Sequence, residues 1–348
     1  MGRVQPQQQQ TIKGSPVILS ELTIVNSTPG RSRKYAHHDT RGEGIPHQHR
    51  LGEHRRGAKR RPPAGAGDRR VRLSINPASP LRVVPDGDGI AVVRDGEKIV
   101  RGRLERPLCH CPEQAYITVS ERCTFDCRFC PVPKLNGAIK DTETVLRMVE
   151  EAARRGNLSA ISLTSGVAES PEQEVERMAA VVRALQARFD LPIGVSVYPT
   201  ADSTGILRAA GADEIKYNVE TMDPDVFARV CPGLSLPFIL DALAEAVDVF
   251  GRNAVFTNFI IGLSEDDGMV RDGVALLAKI GVIPILRPIS ASPLRAGEIT
   301  VKRPSAERLL RLASMTREIL VQHDLDPRRA RTMCLPCTGC DLTPFRDV

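Results

Sequence analysis

The sequence of 348 residues predicts an α/β fold in which a parallel sheet closes partly on itself. From about residue 113, short apolar runs alternate with longer segments whose apolar residues recur every three or four positions. This alternation is typical of strands followed by helices, and it favours a parallel sheet. Six such units follow one another over about 210 residues, fewer than the eight of a full (β/α)₈ barrel. We therefore expect a partial (β/α)6, TIM-like barrel.

The first 70 residues differ from the rest in charge. They hold 14 Lys and Arg against 5 Asp and Glu, a net charge of +9, whereas residues 71–348 hold 34 against 37. Five of the seven histidines lie in this segment, and no period of 2 or 3.6 is sustained there. We expect residues 1–70 to be a disordered basic tail, with a metal-binding or RNA-contacting tail as the alternative. Because the remainder is nearly neutral, a basic nucleic-acid-binding core is not expected.

A short N-terminal β-hairpin is predicted within residues 71–112. Its strands are Ile90–Val93 and Lys98–Val100, and its turn is Asp95-Gly96. The barrel is expected over residues 113–325, and a cysteine-rich segment over residues 326–348.

The barrel elements follow from apolar periodicity and from helix caps. Asp141 precedes one helical pattern, and Ser170-Pro171-Glu172-Gln173 is a capping box with proline at the first helical position. Six strands are predicted: Tyr116–Val119, Ala160–Leu163, Ile193–Val197, Glu214–Val219, Ala254–Ile261 and Ile283–Leu286. The helices that follow them end near Gly156, Leu185, Gly211, Phe250, Ile280 and Gln322.

No stretch approaches the roughly 18 apolar residues of a membrane span, and the N-terminus lacks the apolar run of a secretory signal. The chain nevertheless has nine cysteines. Cysteines without a secretory signal favour metal binding or catalysis in a reducing compartment over a disulfide framework. A cytoplasmic protein is therefore expected.

Three cysteines stand between the first predicted strand and the first helix. Cys123, Cys127 and Cys130 have the spacing C-x3-C-x2-C, and Phe129 precedes the last of them. Structural zinc sites usually have four ligands in two pairs, and a 4Fe–4S cluster usually has four cysteines. Three thiolates therefore predict a 4Fe–4S cluster with one iron open to another ligand, with structural zinc and inert cysteines as the alternatives.

This motif resembles the signature of the radical SAM superfamily, in which an aromatic residue also precedes the third cysteine. The resemblance extends over about residues 115–322, since the order of six units matches the partial barrel of that family. It implies that the three cysteines hold the cluster and that S-adenosylmethionine (SAM) chelates the open iron. It also implies reductive cleavage of SAM to a 5′-deoxyadenosyl radical that takes a hydrogen atom from substrate.

Three further segments, each after a predicted strand, resemble the SAM-facing motifs of that family. They are Thr164-Ser165-Gly166, the run Tyr217-Asn218-Val219-Glu220-Thr221, and the run from Asn258 to Glu265. The resemblance implies that SAM is contacted by Phe129, Thr164, Ser165, Gly166, Asn218, Glu220, Ile260 and Gly262. Asn218 and Glu220 are two residues apart, so on a strand they would share one face.

The segments resemble the biotin-synthase-related branch, although not biotin synthase itself. The second and third predicted strands lack the cysteines that hold the sulfur-donating cluster of that enzyme. Leu234 falls near the position where those synthases have an arginine for the SAM carboxylate. Arg287 or Lys216 is the candidate replacement.

A second cysteine group ends the chain. Cys334, Cys337 and Cys340 have the spacing C-x2-C-x2-C, which predicts a second iron–sulfur cluster, with zinc or redox-active thiols as alternatives. Cys109 or Cys111 is a candidate fourth ligand. We expect these sulfurs to converge at the barrel mouth.

The sequence thus predicts a radical SAM enzyme that acts on an unknown small-molecule substrate, in cofactor or small-molecule biosynthesis. An electron donor such as ferredoxin or flavodoxin is the expected protein partner, and neither a membrane nor a nucleic acid is expected. The alternatives are an RNA- or peptide-modifying radical SAM enzyme and an iron–sulfur electron carrier without catalysis. The motifs at the strand ends disfavour the carrier, because a carrier has no use for a SAM site.

Overall fold

The computed structural model describes residues 21–26, 69–74, 79–104, 111, 113–337 and 340–348. Within this part of the chain, two sheets are formed, one antiparallel and one parallel. No helix among these residues is long and apolar enough to cross a membrane.

The antiparallel sheet has five strands in the order β2-β1-β5-β4-β3. They are β1 (Glu21–Asn26), β2 (Arg69–Ser74), β3 (Leu81–Asp86), β4 (Gly89–Arg94) and β5 (Glu97–Leu104). The predicted hairpin is β4 and β5, and both turn residues, Asp95 and Gly96, have positive φ, as a tight hairpin turn requires.

Strand β1 lies inside the segment 1–70 for which disorder is predicted, so the structure differs from the prediction at residues 21–26. This strand pairs with β2, more than 40 residues further along the chain, and with β5. Strand β1 has only six residues, and its partners are distant in sequence. The neighbouring residues therefore show no sequence pattern from which the strand could be predicted. Apart from Arg69 and Arg70, the other residues of 1–70 lie outside the described part, as does most of 105–112.

The parallel sheet has six strands in sequence order, β6 to β11, as the six predicted units require. They are β6 (Gln114–Thr118), β7 (Ala160–Thr164), β8 (Ile193–Ser196), β9 (Glu214–Lys216), β10 (Val255–Ile261) and β11 (Ile283–Pro288). The helices are α1 (Thr142–Arg155), α2 (Pro171–Gln186), α3 (Ser203–Ala210), α4 (Pro224–Val230), α5 (Leu236–Phe250), α6 (Asp267–Ile280), α7 (Ala306–Gln322) and α8 (Cys334–Cys337). The predicted partial barrel of α/β units is confirmed.

Side-chain caps fix where the helices begin. Asp141 accepts a hydrogen bond from the Thr144 amide at the start of α1, and Ser170 accepts one from the Gln173 amide at the start of α2. Helix α4 is absent from the sequence prediction, because its seven residues hold too few turns to show a period. Asp223 caps it by accepting two backbone hydrogen bonds.

The fourth barrel strand is shorter than predicted and ends at Lys216 rather than Val219. The reason is a side chain in the neighbouring strand. The Val219 amide donates to the Thr257 hydroxyl at 2.8 Å instead of to a backbone carbonyl. Pairing resumes at Glu220, which adopts a left-handed φ of 60°.

The C-terminal segment closes the barrel at the amino-terminal ends of its strands. Glu214, the first residue of β9, accepts hydrogen bonds from the amides of Arg331 and Thr332 at 2.8 Å. Gly194 of β8 lies so close that a Cβ there would stand 2.0 Å from the Thr332 hydroxyl oxygen. Residues 331–333 therefore plug the barrel floor.

Candidate metal centre and barrel interior

The loop that carries Cys123, Cys127 and Cys130 follows β6 at the carboxyl end of the sheet. Backbone hydrogen bonds from neighbouring barrel segments hold it in place. The Thr124 amide donates to the Val167 carbonyl at 2.7 Å, and the Arg128 amide donates to the Val230 carbonyl at 2.8 Å. The loop is therefore anchored both to the segment after β7 and to the end of α4.

A buried arginine anchors the last cysteine from the opposite side of the barrel. Arg295, in the segment after β11, is 4% exposed, and its Nε donates to the Cys130 carbonyl at 2.7 Å. Its Nη2 lies 2.7 Å from Asp126 Oδ1, and its Nη1 donates to Glu298 at 2.8 Å. The sequence prediction missed Arg295. Its position after the sixth strand was the available signal, since barrel sites form at strand ends.

The three thiols are partly buried and close enough to interact electrostatically. Burial raises the pKa of the Cys130 thiol to about 11 and raises the pKa of Cys123 as well. These thiols are therefore protonated without metal, and metal binding must release their protons. Phe129 packs against the hydrophobic core, which fixes the loop between Cys127 and Cys130.

The turn after β7 supports the cysteine loop. A Cβ at Gly166 would stand 2.3 Å from the Arg122 carbonyl oxygen, so only glycine permits this approach. The Ser165 hydroxyl accepts from the Ser120 amide at 2.9 Å and donates to Glu174. The Ser165 hydroxyl therefore already has two hydrogen-bond partners within the protein. Thr164, the last residue of β7, is partly exposed.

Asn218 and Glu220 lie together after β9, in the irregular segment described above. The Asn218 side-chain oxygen accepts from the Asn258 amide at 3.2 Å, and Asn218 also hydrogen-bonds Glu220. Burial raises the pKa of Glu220 to about 7. Asn258, on β10, has a buried side-chain oxygen with no hydrogen-bond partner. Buried polar atoms without partners are costly, so this oxygen marks a place for a ligand donor.

The loop after β10 is held by a carboxylate. The amides of Gly262 and Leu263 donate to Glu265 at 2.7 and 2.8 Å. Gly262 has a φ of 116°, and a Cβ there would stand 2.4 Å from the Lys302 carbonyl oxygen. Ile260 is buried at the end of β10. Glu265 therefore fixes the conformation of this loop through its hydrogen bonds. Ile260 contributes a buried apolar side chain, and Gly262 contributes backbone alone.

Residues 117–277, which contain the cysteine loop and the segments after β7, β9 and β10, match the family model of the Radical SAM superfamily. This chain carries a radical SAM domain. A bacteriochlorophyllide c C-7(1)-hydroxylase from Chlorobaculum limnaeum is 23% identical over 206 residues, which cover 56% of this chain and 50% of that protein. A probable GTP 3',8-cyclase from Thermococcus kodakarensis is 26% identical over 212 residues, which cover 58% of this chain and 67% of that protein. The chain thus spans half to two thirds of these relatives.

Two solved structures share the fold of this chain. A crystal structure of methylornithine synthase has a TM-score of 0.50 at 16% identity, covering 61% of this chain and 69% of that one. The FeFe-hydrogenase maturase HydG from Carboxydothermus hydrogenoformans has a TM-score of 0.52 at 15% identity, covering 60% of this chain and 52% of that one. The predicted superfamily is confirmed. None of these four proteins is a biotin synthase, and the biotin-synthase-related branch stays a prediction.

The radical SAM domain implies a 4Fe–4S cluster and SAM, and the residues present fit both. Three thiols on one clamped loop offer soft ligands, and the orphaned Asn258 oxygen lies among the predicted SAM residues. Among the described residues, no three Cys, His, Asp or Glu side chains surround one point as a single ion requires.

The C-terminal cysteines lie in a different place from the one predicted. Because residues 331–333 contact the starts of the strands, α8 enters the barrel from the floor, opposite the mouth that holds the cysteine loop. Cys111 is buried just before β6, and its thiol hydrogen-bonds that of Cys337. Cys334 and Cys340 are close enough to raise the pKa of Cys111 further. Of the two candidate fourth ligands, Cys111 thus lies at the group, whereas Cys109 is outside the described residues.

Arg287 joins this floor group to the barrel wall. Its Nη2 donates to the Cys334 sulfur at 3.2 Å and to Asp341 at 2.8 Å. These two contacts direct the tip of the Arg287 side chain toward the floor of the barrel. Arg287 is therefore disfavoured as the partner of the SAM carboxylate. Its pKa is raised by Asp341 and Cys334 despite burial, so it stays charged.

Proposed function

We propose that this chain is a radical SAM enzyme that cleaves SAM at the loop of Cys123, Cys127 and Cys130. The substrate would bind in the barrel between that loop and the floor cysteines, in cofactor or small-molecule biosynthesis. One observation carries the proposal: a clamped three-cysteine loop lies at the carboxyl end of a barrel whose interior holds an unsatisfied buried polar atom, the Asn258 side-chain oxygen, beside Asn218.

The bound cluster would supply one electron to the sulfonium of SAM, which gives methionine and a 5′-deoxyadenosyl radical that takes a hydrogen atom from substrate. The residues of the chain would bind and orient the cluster and SAM. Cys123, Cys127 and Cys130 would hold the cluster. Asn218, Glu220 and Asn258 would offer hydrogen-bond partners to ribose hydroxyls or the SAM amine. Gly166 and Gly262 let the Arg122 and Lys302 carbonyls approach closely and so shape the two loops beside which SAM would bind.

We further propose that Cys111, Cys334, Cys337 and Cys340 hold a second 4Fe–4S cluster. This proposal is supported by the thiol contact between Cys111 and Cys337 and by the Arg287 hydrogen bond to Cys334. Hydrogen bonds to cluster sulfurs adjust reduction potentials. A cluster at the floor of the barrel could bind substrate, donate sulfur or pass an electron.

The test is anaerobic reconstitution with iron and sulfide, followed by SAM and dithionite, with 5′-deoxyadenosine as the product measured. The wild type should form it, and Cys127→Ala should not, because two thiolates cannot retain the cluster with one open iron. Cys231→Ala is the matched control, since this buried thiol hydrogen-bonds Cys127 but lies outside the motif. A wild type that binds iron but forms no 5′-deoxyadenosine would indicate an electron carrier instead.

A further inference from the structure

Cys231 is a buried cysteine that belongs to neither cysteine motif. It follows the last residue of α4 and is 0% exposed. Its thiol hydrogen-bonds the thiol of Cys127, a residue of the radical-site loop that is partly exposed. A thiol that solvent does not reach therefore touches a proposed iron ligand that solvent does reach.

Backbone contacts hold these two thiols together. Arg128 follows Cys127 and Val230 precedes Cys231, and the Arg128 amide donates to the Val230 carbonyl at 2.8 Å. The Cys231 amide donates to the Phe227 carbonyl at 2.8 Å, which fixes this cysteine to α4. Both cysteines also pack in the same hydrophobic core. The fold therefore fixes the contact from both sides.

The other two cysteines of the loop interact with Cys127 less closely. Cys123 and Cys130 affect Cys127 through charge, and in the part of the chain that the structure describes neither thiol shares a hydrogen bond with it. A disulfide joins two sulfurs about 2.0 Å apart, and thiols that are not already near each other need backbone movement to form one. Cys231 is therefore the thiol best placed to form a disulfide with Cys127.

We propose that Cys127 and Cys231 form a reversible disulfide when the cluster is absent and a peroxide is present. The inference rests on the proposed function, because it concerns a ligand of the radical cluster. While its sulfur is bonded to iron, Cys127 cannot react. Once formed, the disulfide removes one of three ligands, so the loop cannot take up a cluster until a dithiol reduces the bond.

The oxidation proceeds in two balanced steps. The Cys127 sulfur attacks hydrogen peroxide, so that an S–O bond forms, the O–O bond breaks and water leaves. The Cys231 sulfur then attacks the Cys127 sulfur, so that the S–S bond forms, the S–O bond breaks, and the leaving hydroxide takes the Cys231 proton as water. Two thiols lose two electrons and two protons, and one peroxide becomes two waters. Without Cys231, a second peroxide would convert the sulfenic acid to sulfinic acid, which a dithiol does not reverse.

The experiment uses the full chain, freed of metal by a chelator, reduced, and treated with an excess of hydrogen peroxide. Free thiols are then alkylated, and the peptides are identified by mass spectrometry. Wild type should give a peptide pair linked through Cys127 and Cys231, and dithiothreitol should restore its iron uptake. Cys231→Ala should form at least tenfold more Cys127 sulfinic acid, and dithiothreitol should not restore its iron uptake at the radical site. The variant that lacks Cys334, Cys337 and Cys340 is the matched control, and it should form the same disulfide as wild type.

Cys231→Ser keeps the size of the side chain and should behave as Cys231→Ala does, with melting temperatures showing that both variants fold. Should neither fold, the wild-type peptides alone decide: Cys127 linked to Cys123 or Cys130, or Cys127 sulfinic acid beside alkylated Cys231, would overturn the proposal. Reconstituted wild type should resist the oxidation, and a disulfide that forms there equally fast would also overturn it. A wild type that forms the disulfide when metal-free but no 5′-deoxyadenosine after reconstitution would reject the proposed function alone.

Discussion

Arg295 should control how well the radical-site loop holds its cluster. Its Nε hydrogen bond to the Cys130 carbonyl is sheltered, because the arginine is 4% exposed. A hydrogen bond from a charged donor contributes about 1.5–3 kcal/mol, so we assign about 2 kcal/mol to this one. Its ion pair with Asp126, whose side chain is 57% exposed, adds less than about 1 kcal/mol. Arg295→Ala should therefore disfavour the ordered loop by about 2–3 kcal/mol, or about 30- to 150-fold.

The assay is the iron concentration that half-saturates the radical cluster during anaerobic reconstitution, with 5′-deoxyadenosine formation as the second readout. Arg295→Ala should need more iron and sulfide and should lose its cluster faster to a chelator. Arg208→Ala is the matched control, because Arg208 also donates to a backbone carbonyl, that of Ala212 at 2.9 Å, but away from the cysteine loop and the predicted SAM residues. Unchanged chelator resistance in Arg295→Ala, with unchanged global stability, would show that Arg295 does not hold the cysteine loop in place.

Three further predictions concern the two sites. Glu220→Gln should remove a pH dependence of stability in the metal-free protein. Burial raises the folded-state pKa of Glu220 to about 7 from its ordinary 4.5, so the wild type loses stability as pH rises from about 4.5 to 7, by at most about 1.4 kcal/mol per pH unit. Urea unfolding at pH 5 and pH 8 measures this, and parallel curves for both proteins would contradict it. Replacing Cys334, Cys337 and Cys340 by Ala should lower the iron content from about eight to about four per chain, as for loss of one of two 4Fe–4S clusters, whereas loss of one zinc with iron unchanged would show a zinc site. Gly166→Ala should weaken SAM binding at least tenfold, since its Cβ would displace the Arg122 carbonyl and with it the cysteine loop; SAM titration that matches wild type would reject this role.

Much of the barrel could be predicted from sequence because its signals are local. The capped helix starts at Asp141 and Ser170 and the buried strand runs are visible within ten residues of chain. The cysteine spacing likewise places three ligands in one loop. Contacts between distant segments could not be predicted from sequence. Examples are the pairing of β1 with β5 and the hydrogen bond from Arg295 to the carbonyl of Cys130, 165 residues away.

The location of the C-terminal cysteines shows the same limit. Their spacing indicates a metal group, but the side of the barrel they occupy depends on Glu214, which binds Arg331 and Thr332 from more than 110 residues away. The irregular path at Glu220 depends on the Thr257 hydroxyl in the adjacent strand. Both features arise from side chains that replace backbone partners, which periodicity does not reveal.

A radical SAM enzyme requires that SAM binds the iron that three thiolates leave open. Electron–nuclear double resonance on the reduced protein, with SAM labelled by ¹⁵N at the amino group and ¹³C at the carboxylate, measures this contact. Couplings from both labels are expected in the wild type and in the variant that lacks Cys334, Cys337 and Cys340. A reduced cluster in the wild type that shows neither coupling with SAM bound would contradict this expectation.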